Sequence, residues 1–397
     1  MKTSLFYLPD VGNRWEREEG MAGMRPGLYQ RMLANLSEQA KLADRLGYNS
    51  ISFTEHHFHI EGFEMSNNPV LLNLYIAMQT ERIRVGQLGI VLPAANPLRV
   101  AEDIAMLDHM TGGRANAGFA RGYQRRWVDV MGQHAHGVHG ALPDQHDAID
   151  QANRDAFEEN YRLVKRAWTE EMIEGYEGKL WQIPIPSTGW PPRATKEMGK
   201  GVGEDGVLTA IGVVPKPVQK PHPPIFQPFA TSERSMRWCA DEGIVAIVPP
   251  VHQKLENQLL DVYAHQSGKT RGEGVAFLRD LIICDTDEEA RQIWEDSSRW
   301  AAEKWFVDFG FRQGMKDPDT GAFLSVEEVL TGGYALVGSE DTVCRQLETM
   351  AQRLPLNWLF CWMFTGLVPH DVNMRSLERL ATKVYPRLGL RMSDGVW

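Results

Sequence analysis

Residues 68–122, NPVLLNLYIAMQTERIRVGQLGIVLPAANPLRVAEDIAMLDHMTGGRANAGFARG, hold one pattern twice over. Each half opens on Asn-Pro, runs through an apolar segment of helical period and leads into a short apolar run. Proline suits a first helical turn, whose N–H groups have no intrahelical acceptor, and the glycines after the second segment suit a left-handed cap. "RIRVGQLGIVLP" and the small-residue "ANAGFARG" then read as strands. Upstream, "LYQRMLANLSEQAKLADRLG" sets Leu28, Met32, Leu36, Ala40, Ala43 and Leu46 on one stripe and stops at Gly47, with the strand "NSISFTEH" behind it. Apolar strands alternating with amphipathic helices predict a parallel sheet covered by helices.

The series continues outward. "PPIFQPFA", "GIVAIVPP", "VAFLRDLIICD" and "NWLFCWMFT" are further strand candidates, and "SLFYLP" at the N-terminus brings the tally to eight. Eight strands with intervening helices predict an α/β protein of the closed (β/α)8, or TIM barrel, class, with residues 1–397 as a single domain. Three stretches break the period: about 132–150, 176–224 and 310–333, rich in Gly, Pro, His or polar residues. They are expected as loop insertions at the C-terminal face of the barrel.

Composition narrows the function. A formal net charge of −10 argues against nucleic acid as the main partner, because phosphate backbones require a basic face. No apolar stretch approaches the roughly 20 residues of a membrane helix, and "MKTSLFYLPD" lacks the apolar core of a leader, so no membrane partner and a cytoplasmic location are expected. Cys239, Cys284, Cys344 and Cys361 form no CxxC pair, as suits reduced thiols rather than structural zinc.

The chemistry concentrates at "FTEHHF", residues 53–58. Side chains alternate along a strand, so His56 shares a face with Ser52 and Thr54 and points into the barrel if Ile51 and Phe53 pack outward. His57 then lies beside Glu55. Taken alone, the strand is equally compatible with two satisfied core or rim histidines. "QHAHGVHGALPDQH" supplies His134, His136, His139 and His146, a spacing that can hold a transition metal, although a solvated or substrate-facing insertion is the commoner meaning; no metal is expected. "GVGEDG" at 201–206 matches a dinucleotide fingerprint but follows no strand, opens no helix and sets Glu204 and Asp205 against the supposed phosphates. Trp127, Trp181, Trp190 and Trp362 hint at a roomy apolar pocket, and core packing accounts for them equally well.

"EHHF", followed in order by "GIVLP", "PLRVAED", "LDHMTGGR" and the "RG" at 121–122, resembles the bacterial luciferase-like flavin-dependent monooxygenases. The likeness is dense from about residue 45 to 125 and returns in "FATSERSMRWCADEG" and "LVGSEDTVCRQLE". It implies a two-component monooxygenase. Reduced FMN from a separate flavin reductase would react with molecular oxygen to a flavin 4a-hydroperoxide, which oxygenates a small organic substrate that is apolar or carbonyl-containing. A deazaflavin-dependent hydride-transfer enzyme of the same fold and a non-catalytic flavin-binding protein are the alternatives. The resemblance makes His56 the active-site histidine, with Glu55 orienting it or a neighbour. It sets Leu88 and Gly89 beneath the isoalloxazine, joined by a cis peptide. It assigns the flavin phosphate to Arg121, Arg154 and the hydroxyl-bearing turn of Thr231, Ser232 and Ser235, where a helix N-terminus favours a dianion. Ala120 stands where bacterial luciferase carries a reactive cysteine, which weakens any case for light emission. A homodimer through helices flanking the second and third strands is the expected assembly.

Overall fold

The computed structural model describes residues 1–133 and 137–392. Its central feature is a ring of eight parallel strands: β1 (Lys2–Leu8), β2 (Ser50–Phe53), β3 (Arg84–Gln87), β4 (Ala115–Ala120), β5 (Ile225–Gln227), β6 (Val245–Val248), β7 (Val275–Ile283) and β8 (Trp358–Phe364). They neighbour one another in chain order, and β8 returns to β1 through seven residue pairs from Lys2↔Trp358 to Leu8↔Phe364. Between β4 and β5 the ring closes on only two pairs, Ile225↔Ala117 and Phe226↔Gly118. All eight strands coincide with the segments read from the sequence.

The helices start and stop where local chemistry dictates. Helix Pro26–Leu46 buries Met32, Leu36, Ala40 and Ala43 and ends on Gly47 at φ 85°, a left-handed conformation that favours glycine. In helix Pro69–Ala77 the Asn68 side chain accepts from the Leu71 amide at 2.9 Å, and Asn96 caps helix Pro97–Met110 in the same way. Both prolines occupy the first turn.

The chain forms two compact units, Met1–Ile90 with Asn116–Gly118 and Ile225–Trp397, and Val91–Ala115 with Phe119–Pro224. The first contains the pairings that close the ring. Inside it, Phe6, Leu8, Leu88, Phe226, Ile247, Leu278 and Phe360 form a continuous apolar core. Past the ends of β1 and β8, buried Asp10 accepts backbone amides from Thr365 at 2.6 Å and Leu367 at 2.9 Å and pairs with buried Arg17. Arg17 in turn lies 4.2 Å above the Phe63 ring. On β7, Arg279 is buried against Glu256 and donates to the Gly333 carbonyl at 2.9 Å.

Besides two short antiparallel pairs, Ile173–Glu174 with Ala210–Ile211 and Tyr176–Glu177 with Gln182–Ile183, one parallel strand escaped the sequence reading. Leu336–Gly338, from "ALVG", pairs in parallel with Leu281–Ile283 where β7 outruns β8. The segment between it and β7 is helical for much of its length: Asp287–Asp296, Ser298–Ala301, a π turn at Ala302–Phe306, 3-10 turns to Met315 and Val326–Thr331. The 310–333 stretch is its second half.

In the second unit, helix Ala148–Thr169 packs on Pro97–Met110, with the Trp168 indole donating to the Ala101 carbonyl at 2.9 Å. Glu159 accepts the amides of Leu180 and Trp181 at 3.1 Å, ordering a turn within residues 176–224. "GVGEDG" is a tight hairpin in which Gly203 N donates to Val207 O at 2.8 Å and Val202 bridges Leu208; no helix follows, in keeping with its rejection as a dinucleotide site. Among the described residues no helix is long and apolar enough to cross a membrane.

The Asp10 clasp joins the two ends of the ring, so Asp10→Ala, which leaves Arg17 as a buried charge without its carboxylate, is expected to cost about 3–5 kcal/mol. Urea unfolding followed by circular dichroism reads this, and an unchanged midpoint would remove the clasp from the account.

Candidate active site

β2 ends at Phe53, so His56 stands three residues beyond it in a loop rather than on the strand. The loop is nonetheless fixed. His56 N donates to Ser66 O at 2.9 Å, and the Asn67 amide reaches His56 O at 3.3 Å. His56 is 8% exposed, and its Nε2 lies 3.1 Å from Glu64 Oε1. The indole N–H of Trp305, from the π turn, donates to Glu64 Oε2 at 2.8 Å. His59 Nδ1 lies 2.8 Å from the Phe63 carbonyl and 3.6 Å from Glu64 Oε2. Phe58 (φ 65°) and Glu64 (φ 50°) both adopt left-handed backbone conformations, a strain that persists where surrounding structure enforces it.

Sequence reasoning missed Glu64. It sits eight positions after His56 in an aperiodic turn, and only the loop's return brings the two together. Glu55 pairs instead with His57, Oε1 to Nε2 at 3.2 Å, so it orients the neighbour. The carboxylate facing His56 Nε2 places a proton on that nitrogen, which in the neutral ring makes Nδ1 the basic one.

Ligand-type atoms of His56, His59 and Glu64 lie within 4.8 Å of one another, close enough for a metal to bridge. Hydrogen bonding accounts for the cluster better. A carbonyl oxygen only accepts, so His59 Nδ1 holds a proton toward Phe63 O and leaves its lone pair on Nε2, while Glu64 accepts from Trp305 and faces His56 Nε2, so each group of the cluster has a hydrogen-bonding role without an ion.

Around this network the first unit presents buried polar atoms with no protein partner among the described residues: the hydroxyls of Thr54 and Ser66 and the indole N–H of Trp362. Such atoms ordinarily find a ligand or water. An aromatic layer adjoins them. Trp362 lies at centroid distances of 5.8 Å from Phe6, 5.5 Å from Phe229 and 6.0 Å from Phe306, and Phe311 reaches Phe229 at 5.4 Å. Phe229 is itself held at φ 53°.

The remaining expected residues divide between the units. In the first, the Leu88–Gly89 peptide is cis, as expected, and Leu88 is buried in the core. Ser232 caps helix Glu233–Glu242, its Oγ accepting from the Ser235 amide at 3.2 Å and lying 2.9 Å from Ser235 Oγ, with Thr231 half-buried just before it. In the second, Arg121 follows β4 and pairs with Asp150 at 2.5 Å, while Asn153 holds the Arg121 carbonyl at 3.0 Å. Gly122, at φ 78°, leaves room for Val91 and Val128, which a β-carbon would meet. Arg154 is buried in the second turn of helix Ala148–Thr169 rather than on its surface. His139 pairs with Asp129 at 3.0 Å and His146 is exposed; His134 and His136 lie outside the described residues. Of the four tryptophans singled out, Trp127 and Trp181 pack within the second unit, Trp190 is 42% exposed, and Trp362 belongs to the aromatic layer.

Against known proteins, the family model for luciferase-like monooxygenases matches residues 17–356. The chain belongs to the luciferase-like monooxygenase family. Among curated members, it is 23% identical over 374 residues to the oxygenase component of flavin-dependent trigonelline monooxygenase of Acinetobacter baylyi, covering 90% of this chain and 89% of that protein. It is 24% identical over 385 residues to 3,6-diketocamphane 1,6-monooxygenase of Pseudomonas putida, covering 92% and 96%. A solved structure of the oxygenating constituent of 3,6-diketocamphane monooxygenase from Pseudomonas putida, a type II Baeyer-Villiger monooxygenase in complex with FMN, superposes with a TM-score of 0.71 at 21% identity, over 98% of this chain and 99% of that one. At that identity the superposition speaks for the fold. The barrel of this luciferase-like monooxygenase is thus shared with its relatives, while the identity leaves the substrate open.

Proposed function

We propose that this protein is the oxygenase component of a two-component, FMN-dependent monooxygenase that acts in the cytoplasm on a small organic substrate, apolar or carbonyl-containing, with reduced FMN delivered by a separate reductase. The observation that carries the reading is a buried histidine, oriented by a buried carboxylate, beside an aromatic layer in a chain of this family. Relatives named for trigonelline and for 3,6-diketocamphane act on chemically distant molecules, so the likeness supports the reaction type more than the substrate.

The residues present suit such a cofactor. The capped helix at Ser232 offers Thr231, Ser232 and Ser235 hydroxyls and a positive dipole end for a phosphate dianion. Thr54, Ser66 and Trp362 offer buried polar atoms to a ring or its oxygenated product. In the second unit, taken by itself, the family likeness gives a phosphate role to Arg121, which Asp150 holds, and to buried Arg154. Bound reduced FMN supplies the electrons with which oxygen is activated. The protein's part is to exclude water through Phe6, Phe229, Phe306 and Trp362 and to hold or move one proton at His56. Glu64 fixes the tautomer that does so.

For the assembly we propose a homodimer. Leu71, Tyr75 and Met78, spaced i, i+4 and i+7 on helix Pro69–Ala77 and its cap, are 63%, 42% and 74% exposed, an apolar stripe that a second copy would cover.

Oxygen uptake with a flavin reductase and a panel of ring and carbonyl substrates tests the activity; turnover supported by a deazaflavin but not by FMN would overturn it. His56→Ala is expected to keep FMN binding while product per oxygen falls by about 10²-fold and peroxide rises, and full coupling in that variant would remove His56 from the reaction. Arg121→Ala should weaken FMN by about tenfold, the loss of one charged hydrogen bond, and an unaltered Kd would overturn the phosphate role. Light scattering should give twice the chain mass for the wild type and the chain mass for a Leu71→Glu, Met78→Glu variant; a monomeric wild type excludes the dimer.

A further inference from the structure

"FLRDLII", residues 277–283, carries two adjacent charges in an otherwise apolar strand. The structure explains only one of them. Arg279 turns outward, where Glu256 and the Gly333 carbonyl receive it. Asp280, one residue on, points to the other face, with Ala276, Leu278 and Ile282 of the interior core. Its register partner is Trp362 of β8, so both side chains leave the sheet on the same face at the same level.

Asp280 is only partly buried, as are Trp362, Phe229 and Phe311. The three rings pack against the interior core of the first unit, and none of the four residues is fully enclosed. Trp294 donates its indole N–H to Asp280 Oδ2 at 2.8 Å, and the Ser298 hydroxyl is a second donor. Those bonds hold the carboxylate in place without neutralising it; the Arg279 guanidinium, turned to the opposite face and held by Glu256, acts on it only at a distance, and among the described residues no cation forms an ion pair with it. Burial pushes its pKa up to about 6, so it is mostly ionised at neutral pH, at a cost in free energy that a counter-charge would relieve. Aromatic faces beside a carboxylate are the chemistry that recognises organic cations.

We propose that Asp280, with Trp362, Phe229 and Phe311, forms the substrate-recognition site, and that the substrate is a small, flat or compact organic molecule bearing a positively charged nitrogen. The inference rests on the monooxygenase reading and deepens it: the apolar body packs on the rings and the charged nitrogen faces Asp280. A neutral molecule of the same shape leaves the carboxylate uncompensated. An anion is repelled.

Equilibrium dialysis of the full chain, with and without FMN, against N-methylpyridinium, toluene and benzoate tests this without turnover. N-methylpyridinium should bind about tenfold more tightly than toluene, as expected from an added cation–π contact and charge pair, and benzoate most weakly. Asp280→Asn should weaken N-methylpyridinium by about tenfold and toluene by less than about twofold, with Asp280→Glu restoring part of the preference. Equal binding of the cation and toluene, or no binding of the cation, overturns the proposal in the wild-type protein alone, whether or not a variant folds. Because dialysis needs no oxygen chemistry, its failure is separable from a failure of FMN-dependent oxygen uptake.

Discussion

A side chain at position 118 could not coexist with the third strand. The β-carbon it would need falls on the carbonyl oxygen of Gln87, and one at Gly86 would fall 2.7 Å from the β-carbon of Asn116. These two glycines let β3 and β4 lie close together, and Gly118 is also half of the two-pair ladder that joins β4 to β5. The ring is therefore narrowest in sequence terms at "ANAGFA": a short run of small residues whose lack of bulk is its contribution. β5 joins β6 through two pairs as well, whereas β1 and β8 share seven, backed by the Asp10 clasp. The interior is then filled by phenylalanine and tryptophan from β1, β5 and β8.

What could be read from the sequence was what is periodic. Apolar runs marked all eight strands, and around the second to fourth the boundary residues each have a local reason to be there: Asn68 and Asn96 cap, Pro69 and Pro97 occupy first turns, Gly47 takes the left-handed end. Leu336–Gly338 has no such frame. Three residues carry no period, and its pairing depends on β7 running past β8, which no local signal announces. The same limit applies to the histidine loop. Alternation along "SISFTEH" put His56 on the polar face, whereas its real placement follows from backbone bonds to Ser66 and Asn67. Glu55 was visible because it is adjacent; Glu64 was not, because its relation to His56 is made by a turn through three left-handed residues, Phe58, Gly62 and Glu64.

The buried charges sort by their company. Asp10 accepts from Arg17 and from three backbone amides, and Arg279 meets Glu256, an arrangement that holds the framework together. Partly buried Asp280 differs in having donors but, among the described residues, no ion-paired partner, so two adjacent charged residues of one strand have different surroundings.

The indole of Trp305 gives the histidine network a property the barrel alone would not confer. It comes from the helical segment between β7 and Leu336–Gly338, yet its N–H ends on the same carboxylate that faces His56. Removing that indole would strip one donor from Glu64, and the carboxylate's hold on the imidazole would change with it. The segment and the imidazole thus share one acceptor, and the alignment of the ring depends on residues more than 240 positions apart in the chain.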